Sequence, residues 1–587
     1  MKKPAHIHRL FFFLLLFASA LVVTFTYHSR PKLHAWQGII YADGAGYYSY
    51  LPALFLAGLD PAKMPPDCDE KTGYGFTLHP EDKTIRTKYF YGVSLLLTPF
   101  FLVTHGIAAL AGIPEESGFA RIFEYMVQVA AVVYLILGLV LLERILAAWF
   151  EVKIRFLIVF LLFAGTNLFY YSLMAQAMSH LYSFFLFSLF IYSLQRFQAD
   201  PRWKWFFPVS LATALSVIIR PTNGLILILF FLWNAGSREE LLARIRIFGK
   251  PAYLATFLAC LFFAALPQLL YWKYAFHSYV VYSYGNEGFS NWDHPWLPAV
   301  WFAPKNGLLP YTPLAIFMIL GIVLMIRRKM KNGRLILFFF LVVSYLGASW
   351  WAWELGCGFG YRAFVEYYVL LAIPMGFLLA GISRHKGWFR KGIVGLILLL
   401  FSIVNVATSW SFPNCFHGET WEWKGYLTNM TRTGIFPGEV VLSQIYQPFE
   451  KSWRNKPLIT DSLSFHGSGC ARVTSADEFP GGVTRLMKDF RLAYPTLVRI
   501  SARILDPDSV PTGARIVCTV DQNDRSVVWQ SVEIDSTMII PREWNLIEAK
   551  FRIPDWGWQD AVIKVYIWNE HRTSFFLDDM IVRFCTD

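Results

Sequence analysis

The sequence predicts a polytopic α-helical membrane protein that ends in an all-β domain, and three observations carry that reading. Of 587 residues, 55% are hydrophobic and 16% charged, which leaves too little polar surface to solvate a soluble enzyme of this size. Apolar runs that cross or nearly cross a bilayer follow one another as far as Trp410, with Lys and Arg gathered in the short loops between them. Beyond Trp410 the apolar blocks stop, and short alternating segments such as 497–503, 514–520 and 562–568 take over between turn residues. The expected boundaries are 1–410 for the membrane part, with 29–118 as an outer loop carrying interfacial helices, 411–440 for a linker and 441–587 for an extracytoplasmic β-sandwich.

The first apolar run follows a basic start and reaches Thr26. Ala18-Ser-Ala20 resembles a leader-cleavage site, but the run continues past it, which favours an uncleaved helix with its N-terminus in the cytoplasm. The loops 144–155, 196–204, 238–250, 327–334 and 384–391 are all basic and belong on that same side. Their agreement requires one run between Asp43 and Arg144 not to cross. Residues 90–111, interrupted by Pro99 and His105, are assigned to the outer interface, leaving about eleven crossings and an outer C-terminus. The formal net charge of +12 is therefore a matter of topology and anionic headgroups, not of nucleic acid. The seven cysteines form no close-spaced metal pair, and no disulfide pairing can be read from them.

The chemistry concentrates in the stretch from Ile39 to Phe55, where Asp43 stands among glycines and tyrosines with no cation within four residues. A carboxylate at a membrane surface is held by cations or used for protons. Gly44 and Gly46 are expected to free the backbone for an unusual turn, and Tyr47, Tyr48 and Tyr50 suit the interface. An Asp N-cap on a short helix is the plainer reading. The outer segments add Lys88-Tyr89, His180, Arg220 to Asn223, Lys305, Trp353, Arg362 and Glu366. One acid with Lys88, Arg220, Lys305 and Arg362 points to an anionic substrate, and phosphate is the anion those cations suit best. Arg220 interrupts an apolar hairpin at a cost of about 2.5–3.5 kcal/mol on insertion scales, which argues for a cavity-facing role. Plainer readings stand beside the others: Lys88 snorkelling to headgroups, His180 as an interhelical histidine, Arg362 paired with Glu354 or Glu366, and the tryptophans of 350–353 as an interfacial belt. The acidic group at 67–70 reads as solvated, and no metal or cofactor is assigned.

Taken in order, Asp43, the Lys88-Tyr89-x-x-Gly92 start, Ser179-His180, Arg220-Pro221 and the late Trp-x-x-x-Gly-x-Gly-Phe-Gly-x-Arg362 element resemble the glycosyltransferase C (GT-C) superfamily, notably protein O-mannosyltransferases and lipid A aminoarabinose transferases. The resemblance covers roughly residues 1–410. It implies an inverting transfer of a sugar from a polyprenyl-phosphate carrier to an extracytoplasmic hydroxyl, with Asp43 as base and Lys88, Arg220, Lys305 and Arg362 on the donor phosphate. Tyr47, Tyr89, His180, Asn223, Trp353 and Glu366 are then candidates for substrate contact. The implied partners are the lipid-linked sugar, an acceptor protein, lipid or glycan, and membrane lipids, in a bacterial-type cytoplasmic membrane. Relatives often carry a second acid directly after the first, where this chain has Gly44. Residues 573–580 look like the closing strand of jelly-roll carbohydrate-binding modules, so glycan binding is one reading of the β domain and a spacer the other. Most of Trp529, Trp544, Trp556, Trp558 and Trp568 are expected in its core. The competing class for the whole chain is a transporter or flippase of lipid-linked glycans, disfavoured by polar groups crowded on one face and by the lack of a repeat.

Overall fold

The computed structural model describes residues 3–29, 39–112, 118–385, 387–412, 422–431, 440–449, 459–460, 463–465, 469–490, 495–507, 512–522, 525–534, 540, 542–554 and 561–586. Most of the expected linker, parts of the 29–118 loop, and Trp556 and Trp558 lie outside them. Two compact units divide the chain, Met1–Ser409 and Trp410–Asp587.

The principal helices of the first unit are α1 (Lys3–His28), α2 (Asp43–Tyr48), α3 (Gly92–Leu110), α4 (Arg121–Leu146), α5 (Val152–Gly165), α6 (Ser179–Ala199), α7 (Trp203–Ile219), α8 (Pro251–Phe276), α9 (Ala315–Arg327), α10 (Gly333–Ser349), α11 (Tyr368–Arg384) and α12 (Trp388–Ser411). Among the described residues, α1 from Ile7, α3, α4, α8 and α12 are each long and apolar enough to cross a membrane, which makes this a multi-pass membrane protein. Shorter apolar helices accompany them, including α7, α9, α10 and α11. The expected break in 90–111 is absent. Pro99 removes one backbone donor, yet α3 runs through it, with the Thr98 hydroxyl bonded back to the Ser94 carbonyl at 2.9 Å and His105 stacked near Phe101. The reason for setting this run apart from the crossing helices therefore falls away.

Polar side chains tie the helices where their partners are other buried groups. Glu143 of α4, 2% exposed, accepts Arg9 of α1 at 2.8 Å and Arg155 of α5 at 2.7 Å. At the other end of α1, Thr24 lies 3.3 Å from Gln128 and 2.5 Å from Gln176, and His28 lies 3.1 Å from Gln176. Removing one partner of a buried ion pair leaves charge without compensation. Glu143→Ala is accordingly expected to cost about 3–5 kcal/mol, read as a lower thermal unfolding midpoint of the detergent-solubilised chain. An unchanged midpoint would show that the two arginines find other partners.

Two close approaches place the functional segments. At Gly92, the first residue of α3, an added Cβ would lie 2.6 Å from the Ile218 carbonyl oxygen. The absence of a side chain thus lets the Lys88-Tyr89 segment and the Arg220 end of α7 meet. Arg220 itself is extended (φ −153°, ψ 124°), followed by a 3-10 turn at Pro221–Ile226, so the apolar hairpin is broken where the arginine stands.

The second unit holds a short helix (Trp423–Thr431) and antiparallel strands: β3 (Val440–Gln447), β4 (Ile459–Thr460), β5 (Cys470–Val473), β7 (Leu497–Leu505), β10 (Asn545–Arg552) and β12 (Phe575–Thr586) in one sheet, β6 (Gly481–Leu486), β8 (Arg515–Gln522), β9 (Arg525–Glu533) and β11 (Val562–Trp568) in the other; β1 (Thr77–His79) and β2 (Thr84–Arg86) form a hairpin in the first unit. Period-2 burial along β10 and β11 turns one set of aliphatic side chains into a core shared by both sheets. The tryptophans do not join that core among the described residues. Trp529 is 54% exposed, and Trp544 and Trp568 are half-buried, because each falls on or beside the outward register of its strand while Val, Ile and Cys take the inward one.

Candidate active site

Asp43 opens α2, so its carboxylate is not an N-cap; Ala42 holds that position and no side chain caps the helix. The unusual turn falls on Ala42 (φ 48°, ψ −125°), not on the glycines expected to take it. A non-glycine residue at positive φ is strained, and such strain persists only where the surroundings over-determine it. The Ala42 N–H is fixed by the Thr72 carbonyl at 2.7 Å.

Gly44 and Gly46 serve packing instead. A Cβ at Gly44 would lie 2.7 Å from the Ala177 side chain, so this position has no room for a second acid. A Cβ at Gly46 would lie 2.2 Å from the Tyr89 ring and 2.3 Å from the Gly75 carbonyl. Gly46→Ala is expected to destabilise the chain by about 1–3 kcal/mol and to push the Tyr89 ring off Asp43. A thermal midpoint equal to that of the unsubstituted protein would refute this.

The Tyr89 hydroxyl donates to Asp43 Oδ1 at 2.5 Å, and Arg362 Nη2 donates to Oδ2 at 3.2 Å. Arg362 belongs to a 3-10 turn (Arg362–Phe364) that follows the glycine-rich loop, and its side chain is 10% exposed against 33% for Asp43. The carboxylate is recessed yet open on one side. Burial works to raise its pKa, but Arg362 and the Tyr89 hydroxyl, with Lys88 behind them, prevail and hold it below the usual carboxylate range. Burial and the Asp43 charge push the Tyr89 phenol up in turn.

A second cluster adjoins the first. Arg220 Nη1 lies 3.6 Å from Glu366 Oε1, and Glu366 Oε2 lies 3.2 Å from His180 Nδ1. Tyr47 adjoins Arg220, and its ring packs 4.6 Å from that of Tyr89. Asn223 ties this turn to α6 through Ser183 Oγ at 2.9 Å. Tyr171, whose hydroxyl accepts the Phe359 N–H at 3.1 Å, feels Arg362, Arg220 and Asp43 at once and so stands between the clusters.

The remaining candidates divide. Lys88 pairs with Glu287 at 2.5 Å and lies over the rings of Tyr89 and Tyr284. Lys305 pairs with Glu354 at 3.1 Å, and Asn306 pins that loop through the carbonyls of Glu354 and Gly356. Trp353 is half-buried in the same loop, and no contact among the described residues joins it or Lys305 to Asp43. The picture of one acid among four cations thus gives way to four ion pairs. Each cation that the sequence assigned to phosphate already faces a carboxylate, since recessed charge without a partner is expensive.

Glu287, Tyr284 and Tyr171 escaped the sequence reading. Tyr284 and Glu287 sit in an irregular stretch without periodicity, and Lys88 and Glu287 are 199 positions apart. A surface group of His79, Glu81 and Asp82 brings its ligand atoms within 4.8 Å of one another. Asp82 there pairs with Arg86, and His79 bonds Thr77 and Glu81, which accounts for the group without an ion. In the acidic run 67–70, Asp69 accepts the Leu78 N–H and so fastens the β1 strand. Cys357 is disulfide-bonded, and Cys68, Cys260, Cys470, Cys518 and Cys585 are free and buried.

No protein-family model and no curated protein matches the sequence. Among solved structures, the chain is similar to the apo oligosaccharyltransferase of Archaeoglobus fulgidus, at 13% identity and a TM-score of 0.40, over 72% of this chain and 60% of that one. It is also similar to the oligosaccharyltransferase AglB of the same organism in complex with an inhibitory peptide and a dolichol-phosphate, at 11% identity and a TM-score of 0.40, over 73% and 56% of the two chains. A third likeness, to the CBM22-1 xylan-binding domain of Paenibacillus barcinonensis Xyn10C, has 13% identity and a TM-score of 0.17, over 26% of this chain and 99% of that domain. At these values the likenesses carry no argument about activity, and the functional reading rests on the residues themselves.

Proposed function

We propose that this chain is an inverting GT-C-type membrane glycosyltransferase that moves a sugar from a polyprenyl-phosphate carrier to an extracytoplasmic acceptor hydroxyl. The observation that carries the reading is Asp43 held between Tyr89 and Arg362, with one side of the carboxylate open and Arg220 in the adjoining cluster. Asp43 takes the proton of the acceptor O–H as that oxygen bonds the anomeric carbon from the face opposite the phosphate. The bond from the anomeric carbon to the phosphate oxygen breaks with its electron pair, and the carrier leaves as a lipid phosphate. Arg362 and Arg220 neutralise the departing charge, with Lys88 beside them. A phosphate leaves well without a proton, so one base suffices.

Because Arg362 is shared between Asp43 and the phosphate, donor binding draws its charge away from the carboxylate and strengthens Asp43 as a base at the moment it is needed. The disulfide at Cys357, in the loop leading to Arg362, suits an oxidising, extracytoplasmic face. On the same reading the β domain lies outside a bacterial-type cytoplasmic membrane as part of the cell envelope. The outward-facing Trp529, close to Tyr566, supports a glycan contact there.

The test uses membranes holding the unsubstituted protein or Asp43→Asn at equal level, with polyprenyl-phosphate sugars and glycosylated products followed by mass spectrometry. Consumption of a lipid-linked sugar only with Asp43 present supports the transferase and names its donor. Matching profiles, with donor and acceptor pools verified present, would remove Asp43 from the chemistry and turn attention to lipid movement.

A further inference from the structure

The Arg220 cluster contains a buried carboxylate that the transfer chemistry above does not use. Glu366, 2% exposed, stands just before α11 and meets Arg220 from the end of α7 and His180 from α6. The other charged or titratable groups facing it are Arg362 from the preceding 3-10 turn and the phenols of Tyr367 and Tyr368. No second carboxylate joins it among these groups. We infer, on the footing of the donor-phosphate reading, that Glu366 is a positioning residue that holds Arg220 ready for the phosphate and takes up one proton from solvent when the phosphate claims that arginine.

The geometry provides for both states of the carboxyl group. His180 Nδ1 lies 3.2 Å from Glu366 Oε2 and 3.4 Å from Arg220 Nη1, and a single ring nitrogen cannot donate to one and accept from the other. With Glu366 ionised, the Nδ1–H donates to the carboxylate. With Glu366 protonated, its O–H donates to a bare Nδ1, which Arg220 also faces. The second state holds one proton more, on the carboxyl group, and the imidazole's own proton moves from Nδ1 to Nε2, so the ring stays neutral and no heavy atom has to move. Among the described residues His180 Nε2 is buried without a hydrogen-bond partner, so none of them fixes the tautomer at that nitrogen.

Electrostatics give the direction. Arg220 neutralises Glu366 until a phosphate arrives; two anions then share one guanidinium, one of them the buried Glu366 carboxylate, and like charges at such range disfavour joint ionisation. The carboxylate can protonate, whereas a phosphodiester cannot near neutral pH. Burial already pushes Glu366 up to about 7 against the pull of Arg220. A small further rise leaves it protonated in the complex. The balance is one proton from solvent per phosphate bound, with no bond otherwise made or broken.

Linkage sets the sign. Below about pH 7 Glu366 holds its proton before the phosphate binds and uptake is small; above that, binding must draw a proton in, and affinity falls by up to about tenfold per pH unit. The experiment titrates the full chain in detergent with a farnesyl methyl phosphodiester, whose charge is constant over this range. Isothermal calorimetry in two buffers of different ionisation enthalpy counts the protons. The expected result is uptake approaching one proton at about pH 8 and much less at about pH 6. Glu366→Gln, which keeps a hydrogen-bonding group without a charge to neutralise, should abolish the uptake and bind up to about tenfold more tightly than the unsubstituted protein at about pH 8.

A purely structural Glu366 would instead leave the variant weaker at both pH values, and uptake that persists in Glu366→Gln would overturn the inference. Should that variant fail to fold, the proton count of the unsubstituted protein at the two pH values decides alone: no uptake at either overturns it. Absence of phosphodiester binding at every pH would overturn the donor-phosphate reading itself, an outcome separate from binding without proton uptake.

Discussion

Asp43→Asn is expected to lower sugar transfer about 10²–10⁴-fold, the range a positioned general base contributes, while the chain folds and reaches the membrane at its usual level. The substitution keeps the size of the side chain and an acceptor oxygen for the Tyr89 hydroxyl, so the turn at Ala42 and the packing at Gly44 and Gly46 should survive. What disappears is the carboxylate proposed to accept the proton. Arg362, released from its anionic partner, remains available to phosphate. Donor binding should therefore hold or tighten as turnover collapses, so that kcat falls and the KM for donor does not rise. Steady-state kinetics on the purified protein separate the two. A rise in KM with kcat unchanged would make Asp43 a binding group and not the base.

Arg362→Ala should lower activity about 10²–10³-fold, because on the proposed mechanism it removes a donor aimed at the charge that develops on the leaving phosphate. It also carries a signature in pH. Arg362 helps hold Asp43 below the usual carboxylate range, and as the proposed base Asp43 acts only when ionised, so activity is expected to be lost as pH falls through its folded-state pKa. Without the guanidinium that pKa rises, and the acid limb of the pH–rate profile should move to higher pH. Arg362→Lys keeps the charge but gives up the planar fork that can touch Asp43 and phosphate together. It should move the limb less while still losing rate. An acid limb in the same place for all three proteins would show that Arg362 does not govern the base.

The apolar helices, the basic loops, the interruption at Arg220 and the change to period-2 strands after Trp410 were all legible in the sequence, because each is a local consequence of burial in lipid or in a sheet core. Residue types suited to phosphate chemistry were legible too. Their partners were not. Asp43 meets Arg362 across 319 positions and Lys88 meets Glu287 across 199, distances over which hydropathy and spacing carry no information. Sequence reasoning also misjudged the glycines of the 39–55 stretch. It expected conformational freedom at Gly44 and Gly46, whereas the neighbours that crowd them, Ala177 and Tyr89, come from other segments.

What the sequence determined by itself is the set of elements and the chemical kinds gathered on them: membrane helices, a β domain, the Asp43 carboxylate among glycines and tyrosines, and a handful of cations between the apolar runs. Only the tertiary structure decided that those cations stand as ion pairs, that Asp43 is gripped from two sides, and that a second acid, Glu366, waits beside Arg220. The physical reason is that local sequence sets hydropathy and backbone preference, whereas charge compensation in a recessed site is settled between whichever side chains the packing brings within a few ångströms.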